Sequence, residues 1–234
     1  MFEGYPSKYI VLDIETRNLT PEQAEFEGLF VKSHPRTKDE TKKAAQIEAK
    51  KAELSEKGAL SNSAEIACIG VYDNTLSAPI VLHTFDFNKR IEGVDHFKFK
   101  DEREMLVELY SMLDVSCDDL TEIVVANADF ELPKIRYRSA IKNRVKIPRI
   151  FIPHSPNPVY DVLYNARKYF LLGSEYISLD TLDKHIGGEC SGKVISGKEI
   201  PNMIDEERFE EVITYNAVDV MKTRWAYLTM TCNC

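Results

Sequence analysis

The sequence has no Cys-x-x-Cys pair, no apolar run long enough to span a membrane, and no excess of basic charge. Its five cysteines, Cys68, Cys117, Cys190, Cys232 and Cys234, are scattered over 234 residues, without the Cys-x-x-Cys spacing of a zinc site. No apolar stretch approaches bilayer length, and the N-terminus shows no charged-then-apolar leader pattern, so a cytoplasmic protein is expected. The formal net charge of −8 argues against a protein that coats long nucleic acid with its whole surface. It leaves room for an enzyme that grips a few terminal nucleotides, with bound cations offsetting part of the acidity. No internal repeat is present. A chain of this length buries one substantial core with space for an insertion, so residues 1–234 are read as a single domain.

What the sequence does have is a strand with two acids in it. Lys8 is followed by the four apolar residues Tyr9, Ile10, Val11 and Leu12, then Asp13, Ile14, Glu15 and Thr16. A run this hydrophobic reads as a strand covered on both faces. Side chains alternate along a strand, so Asp13 and Glu15 point the same way. Two carboxylates on one face of a buried strand repel each other and resist ionisation unless a cation lies between them. Oxygen-only ligands suit Mg²⁺ or Mn²⁺ better than zinc. The alternative is that both acids cap the strand and face water.

Periodicity is lost from about Asn18 to Pro35. A helix rich in Ala, Lys and Glu is then expected over Lys38 to Lys57, within an insertion spanning residues 18–62. Lys32 to Lys57 holds 8 Lys/Arg against 5 Asp/Glu, a candidate basic arm or a plain solvated helix. Ala64 to Val71 and Ile80 to Phe85 read as strands of a hairpin, Asp101 to Leu113 as an amphipathic helix, and Glu122 to Asn127 as a further strand. Helices are expected over Glu131 to Lys142, Tyr160 to Phe170 and Ser178 to Ile186. Ser191 to Met203 reads as a polar loop carrying Lys193 and Lys198. A long helix follows from Asp205, with Phe209, Val212, Ile213, Ala217, Val220, Met221 and Leu228 facing inward. This order predicts an α/β sandwich with a mixed sheet, antiparallel in its hairpins and parallel where a helix crosses over.

Two further places gather acids. On the long helix, Tyr215 and Asp219 are four apart and share a face, and Asp219 interrupts an apolar surface where a buried acid needs a partner. The strand ending at Asn127 runs into Ala128, Asp129, Phe130, Glu131, Leu132 and Pro133, at the carboxyl end of a strand where α/β folds place their chemistry. An acid at a helix start is also ordinary capping.

Together these segments resemble the DnaQ-like 3′–5′ exonucleases of the RNase H-like superfamily, the DEDD nucleases. They are most similar to the stand-alone type related to the proofreading domain of family B DNA polymerases in bacteria and phages. Asp13-Ile14-Glu15-Thr16 matches the first motif. Tyr215 and Asp219 match the third in its tyrosine (DEDDy) form, since the histidine form would need His where Thr214 stands. Ser178 to Leu182 with His185-Ile186-Gly187, and Tyr160-Asp161-Val162-Leu163, resemble the intervening segments. The family's second motif runs Asn, a few residues, then Phe-Asp. Here Asn127 and Phe130 are followed by Glu131, so Glu131 takes the usual aspartate's place by register, with Asp129 as the alternative.

The resemblance implies an RNase H-like sandwich: a mixed five-stranded sheet flanked by helices, with the helical insertion after the first strand. It implies that Asp13, Glu15, Asp219 and the second-motif acid hold two Mg²⁺ or Mn²⁺ ions, with the Tyr215 hydroxyl orienting the attacking water. The substrate would be a nucleic acid 3′ end, single-stranded DNA foremost, and the product a nucleoside 5′-monophosphate. Thr16, Asn127, Phe130 and Lys193 are candidate substrate contacts, and Lys42, Lys43, Lys50, Lys51, Lys198 and Tyr137 further ones. Any proofreading role needs a separate polymerase partner. Because of Glu131, a catalytically weakened module that binds nucleic-acid ends is the second reading.

Overall fold

A computed structural model describes residues 8–29, 31–56, 58–116, 121–152, 158–170, 177–188 and 195–232. At its centre is β1 (Tyr9–Thr16), which pairs antiparallel with β2 (Ile66–Asp73) on one side and parallel with β5 (Glu122–Val125) on the other. β3 (Ile80–His83) extends β2 antiparallel, β4 (Asp95–Lys98) adds parallel to β3, and β6 (Val159–Asp161) adds parallel to β5. The sheet order is β4-β3-β2-β1-β5-β6. This mixed sheet, flanked by helices, is consistent with the α/β sandwich expected from the sequence.

The alternation along β1 builds both layers. Ile10, Leu12 and Ile14 pack with Met105, Leu106 and Leu109 of α3 (Glu102–Ser116) and with Leu132 and Ile135 of α4 (Ala128–Tyr137). Each fully buried aliphatic contributes roughly 1.5–3 kcal/mol. Tyr9 and Val11 face the opposite layer, against Val220, Ala226 and Tyr227 of α8 (Phe209–Cys232) and Leu182 of α6 (Leu179–His185). The far part of that layer packs Ala67, Cys68 and Val81 against Val212 and Ile213 of α8 and against α7 (Ile200–Asp205). Asp13 and Glu15 therefore emerge on the α8 side of the sheet.

Several elements differ from the sequence reading. The sheet has six strands rather than five, because β4 forms at the edge from residues that are mostly exposed and carry no apolar alternation. The aperiodic stretch after β1 contains α1 (Pro21–Gly28), started by a capping box in which Thr20 and Gln23 each satisfy the other's backbone N–H, with Pro21 in the first turn. The expected insertion helix is α2 (Glu40–Glu56). Tyr160 belongs to β6, and the helix there begins only at α5 (Val162–Asn165) before widening into π turns through Phe170. The helix from α4 likewise widens over Arg138–Asn143 and ends at Arg144, whose φ is 52°. Ile200 to Met203, expected as loop, lies in α7, and the last helix begins at Phe209 rather than Asp205. Among the described residues no helix is long and apolar enough to cross a membrane.

Candidate metal centre

Two elements converge on the site. β1 is held in the middle of the sheet by ladders on both sides, and α8 lies across β1, β2, β3 and β5. One carboxylate oxygen from each of Asp13, Glu15 and Asp219 comes within 4.8 Å of the others. Asp13 and Asp219 are each 8% exposed, and Glu15 is half-buried. Three carboxylates this close and this shielded repel strongly, and a cation among them would convert that repulsion into attraction.

The donor set fits a metal ion, and it is all oxygen. Among the described residues the soft group nearby is Cys68, opposite Glu15 in the ladder. Burial first, and then the charges of Glu15 and Asp13, push its thiol well above its usual range. It stays a neutral thiol, which is a poor ligand.

Tyr215 stands one turn before Asp219 on α8 and is 7% exposed. Burial, followed by the carboxylates of Asp219, Glu15 and Asp13, raises its phenol pKa, so it remains a proton donor at any ordinary pH. Its hydroxyl lies against Gly197, where an added Cβ would come within 3.0 Å. Asp180, on α6, also acts on this phenol. That carboxylate accepts a 2.6 Å hydrogen bond from the buried Lys222, while Ser178 caps the helix by accepting from the Thr181 N–H.

The acids of the second motif divide. Glu131 is fully buried and Asp129 is exposed. Burial, and next the Asp13 charge, hold the Glu131 carboxyl well above the usual carboxylate range. Its oxygens accept the backbone N–H of Asn127 at 3.0 and 3.3 Å, so the side chain folds back to cap its own helix. Glu131 is thus beside the three-acid cluster but does not complete it in this arrangement. Asp161 braces the same helix start, accepting the Ala128 N–H at 2.8 Å with one oxygen and the Tyr164 N–H at 2.7 Å with the other.

The candidate substrate contacts have mixed settings. The buried Thr16 hydroxyl donates to the Ala59 carbonyl at 2.8 Å. Phe130 packs on the core with the Lys134 ammonium 5.3 Å from its ring centre, and Asn127 is exposed. Lys193 lies outside the described residues. Of the basic arm, Lys50 donates to the Lys32 carbonyl at 2.8 Å and Lys43 pairs with Glu40 at 2.6 Å.

Sequence reasoning passed over Asn216. This buried side chain donates its amide N–H to Asp13 Oδ2 at 2.6 Å. Its signal was a polar residue beside Tyr215 and three before Asp219, on the same helical face.

In comparison with known proteins, no family model matches the chain, and no curated protein matches it.

Proposed function

We propose that the protein is a divalent-cation-dependent 3′–5′ exonuclease that removes nucleotides from single-stranded DNA as nucleoside 5′-monophosphates. The observation that carries this reading is the meeting of Asp13, Glu15 and Asp219 within 4.8 Å. They come from opposite ends of the chain, with the protonated Tyr215 phenol on the same face of α8. The similarity of these motifs to the DnaQ-like tyrosine-type nucleases agrees with it.

In this reading Asp13, Glu15 and Asp219 hold Mg²⁺ or Mn²⁺, and Glu131 joins them by turning away from the Asn127 N–H. Bound divalent ions supply Lewis-acid stabilisation of phosphoryl oxygens and a more acidic water. The chain's own groups do the rest. Tyr215 donates its hydroxyl proton in a hydrogen bond that orients the attacking water. β1 and α8 keep the carboxylates fixed, so little reorganisation is needed during the reaction. In this reading Phe130 is the candidate to stack on a base and the lysines of α2 are the candidates to contact phosphates.

A second reading has its own observation. Glu131 is engaged with its own helix rather than with the three acids, as expected of an end-binding module whose catalysis has weakened.

The deciding experiment follows a 5′-labelled single-stranded DNA oligonucleotide, and a matching RNA, with Mg²⁺, Mn²⁺ or EDTA. A metal-dependent ladder shortening from the 3′ end, lost in Asp13→Ala, supports the exonuclease. No ladder on either substrate, with retained binding, supports the end-binding module. Restoration of cleavage by Glu131→Asp alone would identify the longer side chain as the cause.

A further inference from the structure

Asp13 faces Gly70 directly across the antiparallel ladder. Cross-strand partners project to the same side of a sheet, so a side chain on Gly70 would rise beside Asp13, toward α8. A Cβ at Gly70 would lie 2.6 Å from Asn216 Oδ1 and 2.5 Å from Val220 Cγ2. The space left by the missing side chain is therefore filled by the Asn216 amide. From there its N–H reaches Asp13 Oδ2 at 2.6 Å.

The other end of that amide is unusual. Asn216 is fully buried, and among the described residues its Oδ1 has no hydrogen-bond partner. A leucine, which has the same branched shape, would occupy this position without stranding a carbonyl oxygen. The amide cannot relieve the strain by turning over, because its oxygen would then confront the Asp13 carboxylate. A fold that keeps a buried, half-satisfied amide at this point is keeping it for the N–H that it gives to Asp13.

We infer that Asn216 is a positioning residue for the metal centre: by holding Oδ2 it fixes the orientation of the Asp13 carboxylate within the cluster, with Gly70 providing the room. This rests on the metal-centre reading above. The choice of an amide has a chemical logic. An Arg or Lys in its place would also hold Asp13, but its positive charge would compete with a cation for the same carboxylates. A neutral donor orients the ligand and leaves its charge intact, as groups behind metal ligands commonly do.

The test measures Mn²⁺ binding by the loss of the free-ion EPR signal, and thermal unfolding in EDTA, on the full chain. Asn216→Leu is expected to weaken Mn²⁺ binding by about tenfold or more. Its unfolding midpoint in EDTA should hold or rise, because the stranded oxygen is gone. Gly70→Ala, which displaces the amide without removing it, is expected to weaken binding in the same direction. Should Asn216→Leu fail to fold, Asn216→Ala carries the same comparison. A parent protein that binds Mn²⁺, with Gly70→Ala and the folded Asn216 variant binding it equally well, overturns the positioning role alone. A parent that binds no Mn²⁺ overturns the metal-centre reading and this role with it.

Discussion

Thr16 and Lys134 donate to the same atom, the carbonyl oxygen of Ala59, at 2.8 and 3.0 Å. Thr16 ends the strand that carries Asp13 and Glu15, and Lys134 lies one turn beyond Glu131 on α4. Lys134 also donates to the Ser61 carbonyl. The segment that closes the insertion is thereby tied to both acid-bearing elements at once.

Lys134 should leave a mark on the pH dependence of stability. Burial, and then the Arg138 charge, lower its pKa from 10.5 to about 7. Between those values the unfolded chain binds the proton that the folded protein sheds. Stability therefore rises with pH across the window and is lowest below it. Urea midpoints at about pH 7 and about pH 9 should differ in the parent and converge in Lys134→Met.

His83 should act at lower pH with the same sign. Its Nδ1 accepts the Phe85 N–H at 3.2 Å, so its proton sits on Nε2 and is donated to His96 Nδ1 at 3.0 Å. Burial, followed by His96 and Lys98, lowers its pKa from 6.5 to about 4. The contribution is complete above the unfolded value of 6.5 and is lost as pH falls toward 4. His83→Phe should flatten stability against pH in that interval, as read from thermal midpoints in a series of acidic buffers.

The buried pair of Arg138 and Glu102 should be costly to break from one side. Arg138 reaches Glu102 and the Ser63 carbonyl, while Glu102 also accepts the Ile66 N–H at 2.8 Å and the Asn143 amide at 2.6 Å. Arg138→Met alone should cost about 3–5 kcal/mol, because it strands a buried carboxylate. The double variant Arg138→Met with Glu102→Leu should cost less than the two single changes added, measured as a double-mutant cycle in urea.

Asp219→Asn should change stability in opposite directions with and without metal. In EDTA it removes one of three crowded negative charges and should raise the unfolding midpoint. With Mn²⁺ the parent should gain about 2.7 kcal/mol at a hundredfold excess over its Kd, and the variant should gain far less. Thermal shift assays in both buffers read the crossing directly. A variant less stable than the parent in EDTA would show that repulsion among these acids is not what Asp219 adds.

Much of the frame was legible because burial leaves periodic traces. Ile10, Leu12 and Ile14 against Tyr9 and Val11 announced a strand covered on both sides, and Met105, Leu106 and Leu109 announced α3. Asp13, Glu15 and Asp219 stood out because each interrupts an apolar run. β4 left no such trace, since its pairing depends on β3 and its side chains meet water. α1 was signalled only by Thr20, Pro21 and Gln23, which are local chemistry rather than period. Asn216 left only the weak signal of a polar residue on the Asp219 face of the helix, and Gly70 left none: what joins them appears only when the β1–β2 register sets Gly70 opposite Asp13. Glu131 could be found by register, but not that its carboxyl turns back to its own helix.

The contact between Asn216 and Asp13 joins positions 203 residues apart. Synthesis from the amino end makes Asp13 and Glu15 long before Asp219. A growing chain on the ribosome thus carries the first two acids without the third, and any fragment cut before α8 lacks the three-acid cluster in the same way. The cluster is therefore assembled by folding alone, when α8 is laid across the sheet that already holds the other two acids.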